Sequence, residues 1–233
     1  MRGLFVTGTD TDVGKTYVSS IILRELAEAG VQVGASKPAC SGAVPDGDSF
    51  RWPDLEALAS AAGISDIDQI CSQRLRAPLA PPVAARLEGR RVSFRVMQDE
   101  LLAWSTRADI VVVEGVGGLL CPLTEEHSVA DFAQWMGFPL IIVARLGLGT
   151  INHTLLTMEA AEQRNLKIAG IILNDADNQS ASPAGQTNIN ELAARTDIPL
   201  LGVIGFGSQT ACLRDRETPA RIDWSDLAAT GSV

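Results

Sequence analysis

The residues best suited to chemistry fall in three short stretches. "TGTDTDVGKT" (7–16) carries a lysine and a threonine directly after a glycine. "SKPACSG" (36–42) holds a second lysine, and "DIVVVEG" (109–115) closes an apolar run with the carboxylate of Glu114. In the first stretch five residues separate Gly8 from Gly14, and Thr9 stands where the usual phosphate-loop pattern has glycine, so a strict pattern search passes it by. The physics survives the substitution. Backbone N–H groups from Asp12 through Val13, Gly14 and Lys15 to Thr16 converge on a triphosphate, and the helix that begins there adds its positive end. Lys15 neutralises β- and γ-phosphate charge, the Thr16 hydroxyl binds Mg²⁺, and Tyr17 follows in the first helical turn beside the nucleotide. Magnesium takes oxygen ligands, and Glu114 is the acid a second nucleotide motif would turn toward it. Asp54, in "RWPDLEALA", is ambiguous: after Pro53 it suits the first turn of a helix for capping reasons alone, and it suits the metal equally well.

Elements that position these residues alternate along the chain. Residues 3–8, 31–37, 109–115, 139–145, 167–173 and 198–204 read as strands, most of them apolar on both faces, as in a helix-covered parallel sheet. Helical spacing occupies 15–29, with Val18, Ile21, Ile22 and Leu26 on one face and Gly30 as a stop, and roughly 53–62, 93–107, 128–136, 150–164 and 188–196. The alternation predicts one α/β domain over 1–233: a doubly wound, mainly parallel sheet with helices on both faces, of phosphate-loop NTPase type. Residues 38–52 and 175–187 read as long surface loops. Ligands of such sheets sit at the carboxyl ends of the strands, where all three stretches fall.

Bulk properties narrow the function classes. The 233 residues are 46 % apolar and 20 % charged, which is ordinary globular composition. No apolar run is long enough to span a membrane, and no secretory leader is read at the start. A net charge of −9 disfavours non-specific nucleic-acid binding. Cys40, Cys71, Cys121 and Cys212 are far apart and form no C-x-x-C pair, which fits reduced thiols in the cytoplasm.

Read in order, "TGTDTDVGKT" (7–16), "KPACSG" (37–42), "EGVGG" (114–118), "LGTINHTLLT" (148–157) and "ND" (174–175) resemble the dethiobiotin synthetases over residues 3 to about 207. The resemblance implies ATP- and Mg²⁺-dependent joining of CO₂ to 7,8-diaminononanoate. A carbamate attacks the γ-phosphate, a carbamic-phosphoric anhydride forms, and the second amine closes the ureido ring. It makes Lys37 the residue beside the carbamate and Thr11 and Ser41 its hydroxyl neighbours. It assigns Asn174, followed by Asp175, to the edge of the adenine. Gly115, Val116 and Gly117 offer a backbone that a ligand approaches closely, and Gly205 and Phe206 follow the last strand where the base packs. Thr150 suits the cap of the helix from 150, and the N–H groups of Ile151, Asn152 and His153 suit an anion. The resemblance implies that Gly149, Thr150, Ile151 and Asn152 come from the neighbouring subunit of a homodimer and hold the substrate's tail carboxylate.

Two departures stand out. "APPVA" (80–84) has Ala80 and Pro82 where some members carry Ser-Pro-His, which leaves Pro81 and Val83 to line the cleft. Ile204-Gly205 replaces an Ile-Pro pair, which predicts a looser base pocket. Two other readings share the fold. Partition-type switch ATPases usually carry an extra lysine early in the loop, which "GTDTDVGKT" lacks. ATP-dependent amidotransferases need a glutamine-cleaving domain for which this chain is too short.

Overall fold

The computed structural model describes residues 1–180, 182–208 and 222–232; Cys212 lies outside them. The first half runs β1 (Arg2–Gly8), α1 (Lys15–Glu28), β2 (Val33–Ser36), β3 (Cys40–Ser41), β4 (Val44–Asp46), β5 (Ser49–Arg51), α2 (Pro53–Ala62), β6 (Arg74–Leu75), α3 (Pro81–Leu87) and α4 (Phe94–Leu102). The second runs β7 (Ile110–Gly118), α5 (Val129–Met136), β8 (Leu140–Arg145), α6 (Thr150–Glu162), β9 (Ile168–Asn174), α7 (Pro183–Ala193), β10 (Leu200–Ile204), α8 (Trp224–Leu227) and β11 (Ala229–Thr230).

Six strands pair in parallel in the order β10-β9-β8-β1-β7-β2, and β11 adds an antiparallel pairing to β1. The chain leaves β1 toward β2 on one side and later crosses to β8 on the other. The loop after β1 therefore sits at the switch point of the sheet, where ligands bind in this architecture. Both faces are covered. Leu4, Val6, Ile110 and Val112 meet Ile21, Ile22 and Leu26 of α1 and Leu55 and Leu58 of α2. Phe5, Val111 and Val113 meet Phe132, Ala133 and Met136 of α5. Each fully buried Leu, Ile or Phe contributes about 1.5–3 kcal/mol, so the two-sided burial of β1 and β7 anchors the strands that carry the site.

The expected strands and helices are present with shifted ends, and several features differ. The long loop at 38–52 is not a plain loop. Cys40 N–H donates to Gln73 O (3.1 Å), Gly42 to Ala77 O (3.2 Å) and Ala43 to Arg76 O (2.9 Å), and β4 and β5 form a hairpin. The expected loop at 175–187 ends early because Ser182 caps α7, accepting from Gly185 N–H at 3.0 Å, with Pro183 at the first helical position. The strand expected at 109–115 continues to Gly118, so Glu114 lies within β7 rather than at its end. Pro81 and Pro82 are buried at the start of α3, and neither Pro81 nor Val83 lines the cleft; Pro78, Leu79 and Ala80 do. After residue 222, Trp224 enters the α1 side of the core with its indole N–H on Glu25 (2.6 Å), and Ser232 N–H donates to Met136 O (2.7 Å).

Candidate active site

Strand parity explains how distant residues meet. Ile110 and Val112 face α1, and Glu114 continues that alternation into the same face. Val33 and Ala35 do likewise in β2, and Lys37, one residue past the strand, follows them; its N–H is fixed by Ile70 O at 3.0 Å. Where these two residues emerge, α1 begins with Thr16 and α2 begins with Asp54.

The four side chains form one cluster. Lys37 Nζ donates to Asp54 Oδ2 at 2.8 Å and to Glu114 Oε1, and Thr16 Oγ1 donates to the same Glu114 oxygen at 2.8 Å. Glu114 is 0 % exposed and Lys37 4 %. Burial alone would lower the Lys37 ammonium's pKa, but the charges of Glu114 and Asp54 outweigh it and hold the pKa above the usual value. Burial would raise the Asp54 carboxyl, and Lys37 beside it brings it below the usual range. Asp54 lies in the first turn of α2, which has no side-chain cap at Trp52, and its carboxylate pairs with Lys37.

The residues fit a magnesium ion on one specific point. Glu114 Oε2 is buried with no hydrogen-bond partner among the described residues, which costs free energy unless something else fills that position. With the Thr16 hydroxyl and the Asp54 carboxylate it supplies the hard oxygen donors this ion takes, water and phosphate completing the shell. Among the described residues no cluster of three or more His, Cys, Asp or Glu exists to hold a metal without such help.

The phosphate loop is preshaped. Asp12 has a left-handed backbone (φ 57°), Gly14 caps α1 with φ 93°, and a Cβ on Gly14 would lie 2.0 Å from the Asn174 amide nitrogen. Among the described residues no protein group accepts from the backbone N–H groups of residues 12–16. Lys15 folds back on Asp10 O at 2.8 Å; its burial lowers its pKa, against the attraction of Glu114. Asn174 Nδ2 donates to Val13 O at 3.0 Å and so braces the loop from β9, and its side-chain oxygen has no donor among the described residues. Asp175 is buried, its carboxylate accepting from Gln179 N–H and, at 3.1 Å, from Ser180 N–H. Tyr17 hydroxyl donates to Ser208 O, tying α1 to the segment after β10, where Gly205 is half-buried and Phe206 is 63 % exposed.

A cleft of about 750 Å³ brings together Thr11, Asp12, Gly14, Lys15, Thr16, Lys37, Ser41, Asp54, Glu114, Val116 and Gly117. Residues not foreseen from sequence also line it: Cys40, Trp52, Leu79 and Cys121. Burial pushes the Cys40 thiol up to about 12, which favours the protonated form. Gly115 does not line the cleft; a Cβ there would meet Phe5 and Val129 at 3.1 Å, so its smallness serves packing. Gly149, Thr150, Ile151 and Asn152 lie outside the cleft as well. Gly149, not Thr150, is the N-cap of α6, with φ 91°; Thr150 is already helical, and its buried hydroxyl has no partner among the described residues. Thr150 N–H donates to Gly147 O (3.3 Å) and His153 N–H to Gly149 O (3.1 Å), and among the described residues the N–H groups of Ile151 and Asn152 have no acceptor.

The sequence matches the family model described as an AAA domain over residues 2–211. The ATP-dependent dethiobiotin synthetase BioD of Anaeromyxobacter sp. (strain K) is 48 % identical over 204 residues, spanning 86 % of this chain and 90 % of that protein. The chain belongs to the dethiobiotin synthetase family. The enzyme of the same name from Anoxybacillus flavithermus (strain DSM 21510 / WK1) is 38 % identical across 88 % of this chain and 91 % of its own length. Solved structures extend the fold beyond the dethiobiotin synthetases. The signal recognition particle receptor FtsY of Elizabethkingia anophelis superposes with a TM-score of 0.53 at 14 % identity, over 91 % of this chain and 62 % of that one. A chain of the MinC:MinD cell division complex of Aquifex aeolicus does so at 0.51 and 14 %, over 88 % and 81 %. At such identities these two share the fold with the dethiobiotin synthetases and nothing more.

Proposed function

We propose that this protein is an ATP- and Mg²⁺-dependent dethiobiotin synthetase, which joins CO₂ to 7,8-diaminononanoate and closes the ureido ring with release of ADP and phosphate. The single observation that carries the reading is the Lys37–Asp54–Glu114–Thr16 cluster directly beside a phosphate loop with five uncommitted N–H groups. A switch ATPase needs the loop and usually carries its extra lysine within it, whereas here the second buried lysine comes from the end of β2 and meets Asp54 and Glu114.

In this reading the N–H groups of Asp12 to Thr16 bind the triphosphate, and Lys15 leaves Asp10 O to neutralise its β- and γ-oxygens. Thr16, Asp54 and Glu114 hold Mg²⁺, which when bound draws charge from the phosphate oxygens. Lys37 compensates the anionic carbamate as it approaches the γ-phosphate, and Thr11 and Ser41 orient it by hydroxyl. The second amine then attacks the carbamic-phosphoric anhydride, and phosphate leaves. Val116 and Gly117 supply backbone around the nucleotide, Gly115 packs behind them, and Tyr17 steadies the loop beneath it. Asn174, with Asp175 shaping the turn behind it, meets the adenine through its side-chain oxygen, and Gly205 and Phe206 flank the base.

The chain works as one domain over 1–233, in a homodimer. Gly149, Thr150, Ile151 and Asn152 lie outside the cleft of their own chain, which favours their serving the cleft of a second copy, where they bind the substrate's tail carboxylate. No helix among the described residues is long and apolar enough to cross a membrane, and a cytoplasmic location fits the free thiols of Cys40, Cys71 and Cys121. The test is phosphate release with ATP, bicarbonate and the diamine, omitting each in turn. The reading requires release to depend on the diamine; release without it, raised instead by a protein partner, would make the chain a switch ATPase.

A further inference from the structure

Trp52 lines a second cavity besides the main cleft, one of about 540 Å³ walled by Ser72, Arg74, Arg76, Leu87, Glu88 and Arg90. Its lining carries three guanidinium groups and one carboxylate, in a chain whose net charge is −9. The carboxylate is committed. Glu88 Oε1 accepts the Arg76 backbone N–H at 2.5 Å, and Oε2 lies 3.5 Å from Arg90. Arg90 also donates to Arg74 O at 2.7 Å, and Arg74 pairs at 2.5 Å with Asp68, which is not in the lining. The Arg76 guanidinium has no hydrogen bond and no carboxylate partner among the described residues; it stands 4.7 Å from the centroid of the Phe50 ring. Arg74 stands 5.2 Å from the centroid of Trp52. Stacking on a ring engages the flat face of a guanidinium and leaves the N–H groups at its edge for an acceptor.

We propose that this arginine-lined cavity is a second ligand site, separate from the phosphate loop, for a small molecule bearing two or more phosphate or carboxylate groups. Like charges gathered in one pocket repel each other, and an anion that bridges them relieves the repulsion. Arg76 offers an unpaired fork to one anionic group, and Arg74 and Arg90, each with one carboxylate neighbour, offer their remaining donors to another. The cavity has the size of a small-molecule site, and the acidic surface around it disfavours a polyanionic chain. The site adjoins the main cleft through two elements. Trp52, whose indole N–H donates to Leu75 O at 3.3 Å, lines both cavities and directly precedes Pro53 and Asp54 of α2. Strand β6 pairs with β3, with Arg74 opposite Cys40 and Leu75 opposite Ser41, and both β3 residues line the cleft. A ligand held by Arg74 and Arg76 is therefore one residue pair away from Ser41.

The test is calorimetric titration of the full chain with its phosphate loop saturated by a non-hydrolysable ATP analogue at fixed free Mg²⁺. The probes are citrate, a tricarboxylate, and a hexose bisphosphate. At least one is expected to bind once per chain with a Kd below about 1 mM, and the tighter of the two tells a carboxylate ligand from a phosphate ligand. Arg76 is exposed, so its variants should fold, and an unchanged affinity for the ATP analogue checks this. Arg76→Gln should weaken probe binding about tenfold or more, and Arg76→Lys, which keeps the charge and loses the fork, should fall between. The indole N–H resonance of Trp52, assigned by its loss in Trp52→Phe, should shift on binding to the wild-type chain. Four results overturn the site: neither probe binds, binding survives Arg76→Gln, the Trp52 resonance stays put, or acetate at matched ionic strength displaces the probe equally well.

Discussion

The starts of α1 and α6 invite comparison. Both helices are capped by a glycine with a left-handed backbone, Gly14 at φ 93° and Gly149 at φ 91°, and neither has a side-chain cap. Helices α4, α5 and α7 instead begin at Ser93, Ser128 and Ser182, each of which accepts a backbone N–H. A serine cap satisfies the helix end within the chain; a glycine leaves its N–H groups for something else. The α1 start is surrounded by what an anion site needs, with Lys15, Lys37, Glu114 and a bracing Asn174 all supplied by the same chain. At the α6 start Leu148 is 98 % exposed, Asn152 and His153 point to solvent, and Leu156 one turn further is 55 % exposed. The same local device is finished by its own chain in one place and left open in the other. In the proposed homodimer, this open helix start and the exposed leucines beside it would face the second copy.

Breaking the finished site should have the largest effect. Lys15→Ala is expected to leave the fold intact and to lose about a hundredfold or more in turnover, on the order of 3–4 kcal/mol of transition-state stabilisation. Near-normal turnover of a folded mutant, measured as phosphate release, would remove Lys15 from the site. Lys37→Ala should impair turnover at saturating ATP while nucleotide affinity, measured by calorimetry, changes far less. A collapse of ATP binding with normal handling of the diamine would move Lys37 into the nucleotide site.

The unfinished site is tested by complementation. Lys37→Ala and Ile151→Pro, which removes one of the open N–H groups of the α6 start, are each expected to be inactive and are mixed under conditions that exchange subunits. One site of each mixed dimer regains both intact halves, so activity should return to about a quarter of wild type at equal mixing. Heterodimers that form and stay inactive would show that both elements act within one chain.

The smallest effects compare the two kinds of helix start by thermal unfolding. Ser128 forms a capping box with Asp131, and Ser128→Ala should cost about 1 kcal/mol. Thr150 caps nothing, so Thr150→Val should change stability by less than about 0.5 kcal/mol, since it removes a buried hydroxyl without a partner. A loss at Thr150 equal to that at Ser128 would mean that its hydroxyl is bonded in the assembled protein.

Much of the site was legible because its signals are local. "VGKT" marks a loop and the helix after it, and the apolar runs at 3–8, 109–115 and 139–145 mark strands buried on both faces. Ser182-Pro183 was an available signal for the start of α7 that the apolar period, which begins later, obscured. Asp54 was ambiguous because a first-turn acid serves a helix end and a metal equally well until its neighbours are known. Trp52 and Leu79 gave no signal at all, since they reach the cleft only through the pairing of 40–43 with 73–77, and Cys121 reaches it only through the turn after β7 that folds it back on Gly117.

By itself, then, the sequence determined the alternation of strand and helix, the phosphate loop and the membership of the dethiobiotin synthetase family, all of which are written in short-range periodicity and in contiguous motifs. Tertiary structure decided which charges meet. Lys37 finds Asp54 at a separation of 17 residues and Glu114 at 77, and Asn174 braces the phosphate loop across 161. The reason is parity and topology: side chains alternate across each strand, and only the order β1-β7-β2 brings the α1-facing residues of two strands to the same end of the sheet, under the starts of α1 and α2.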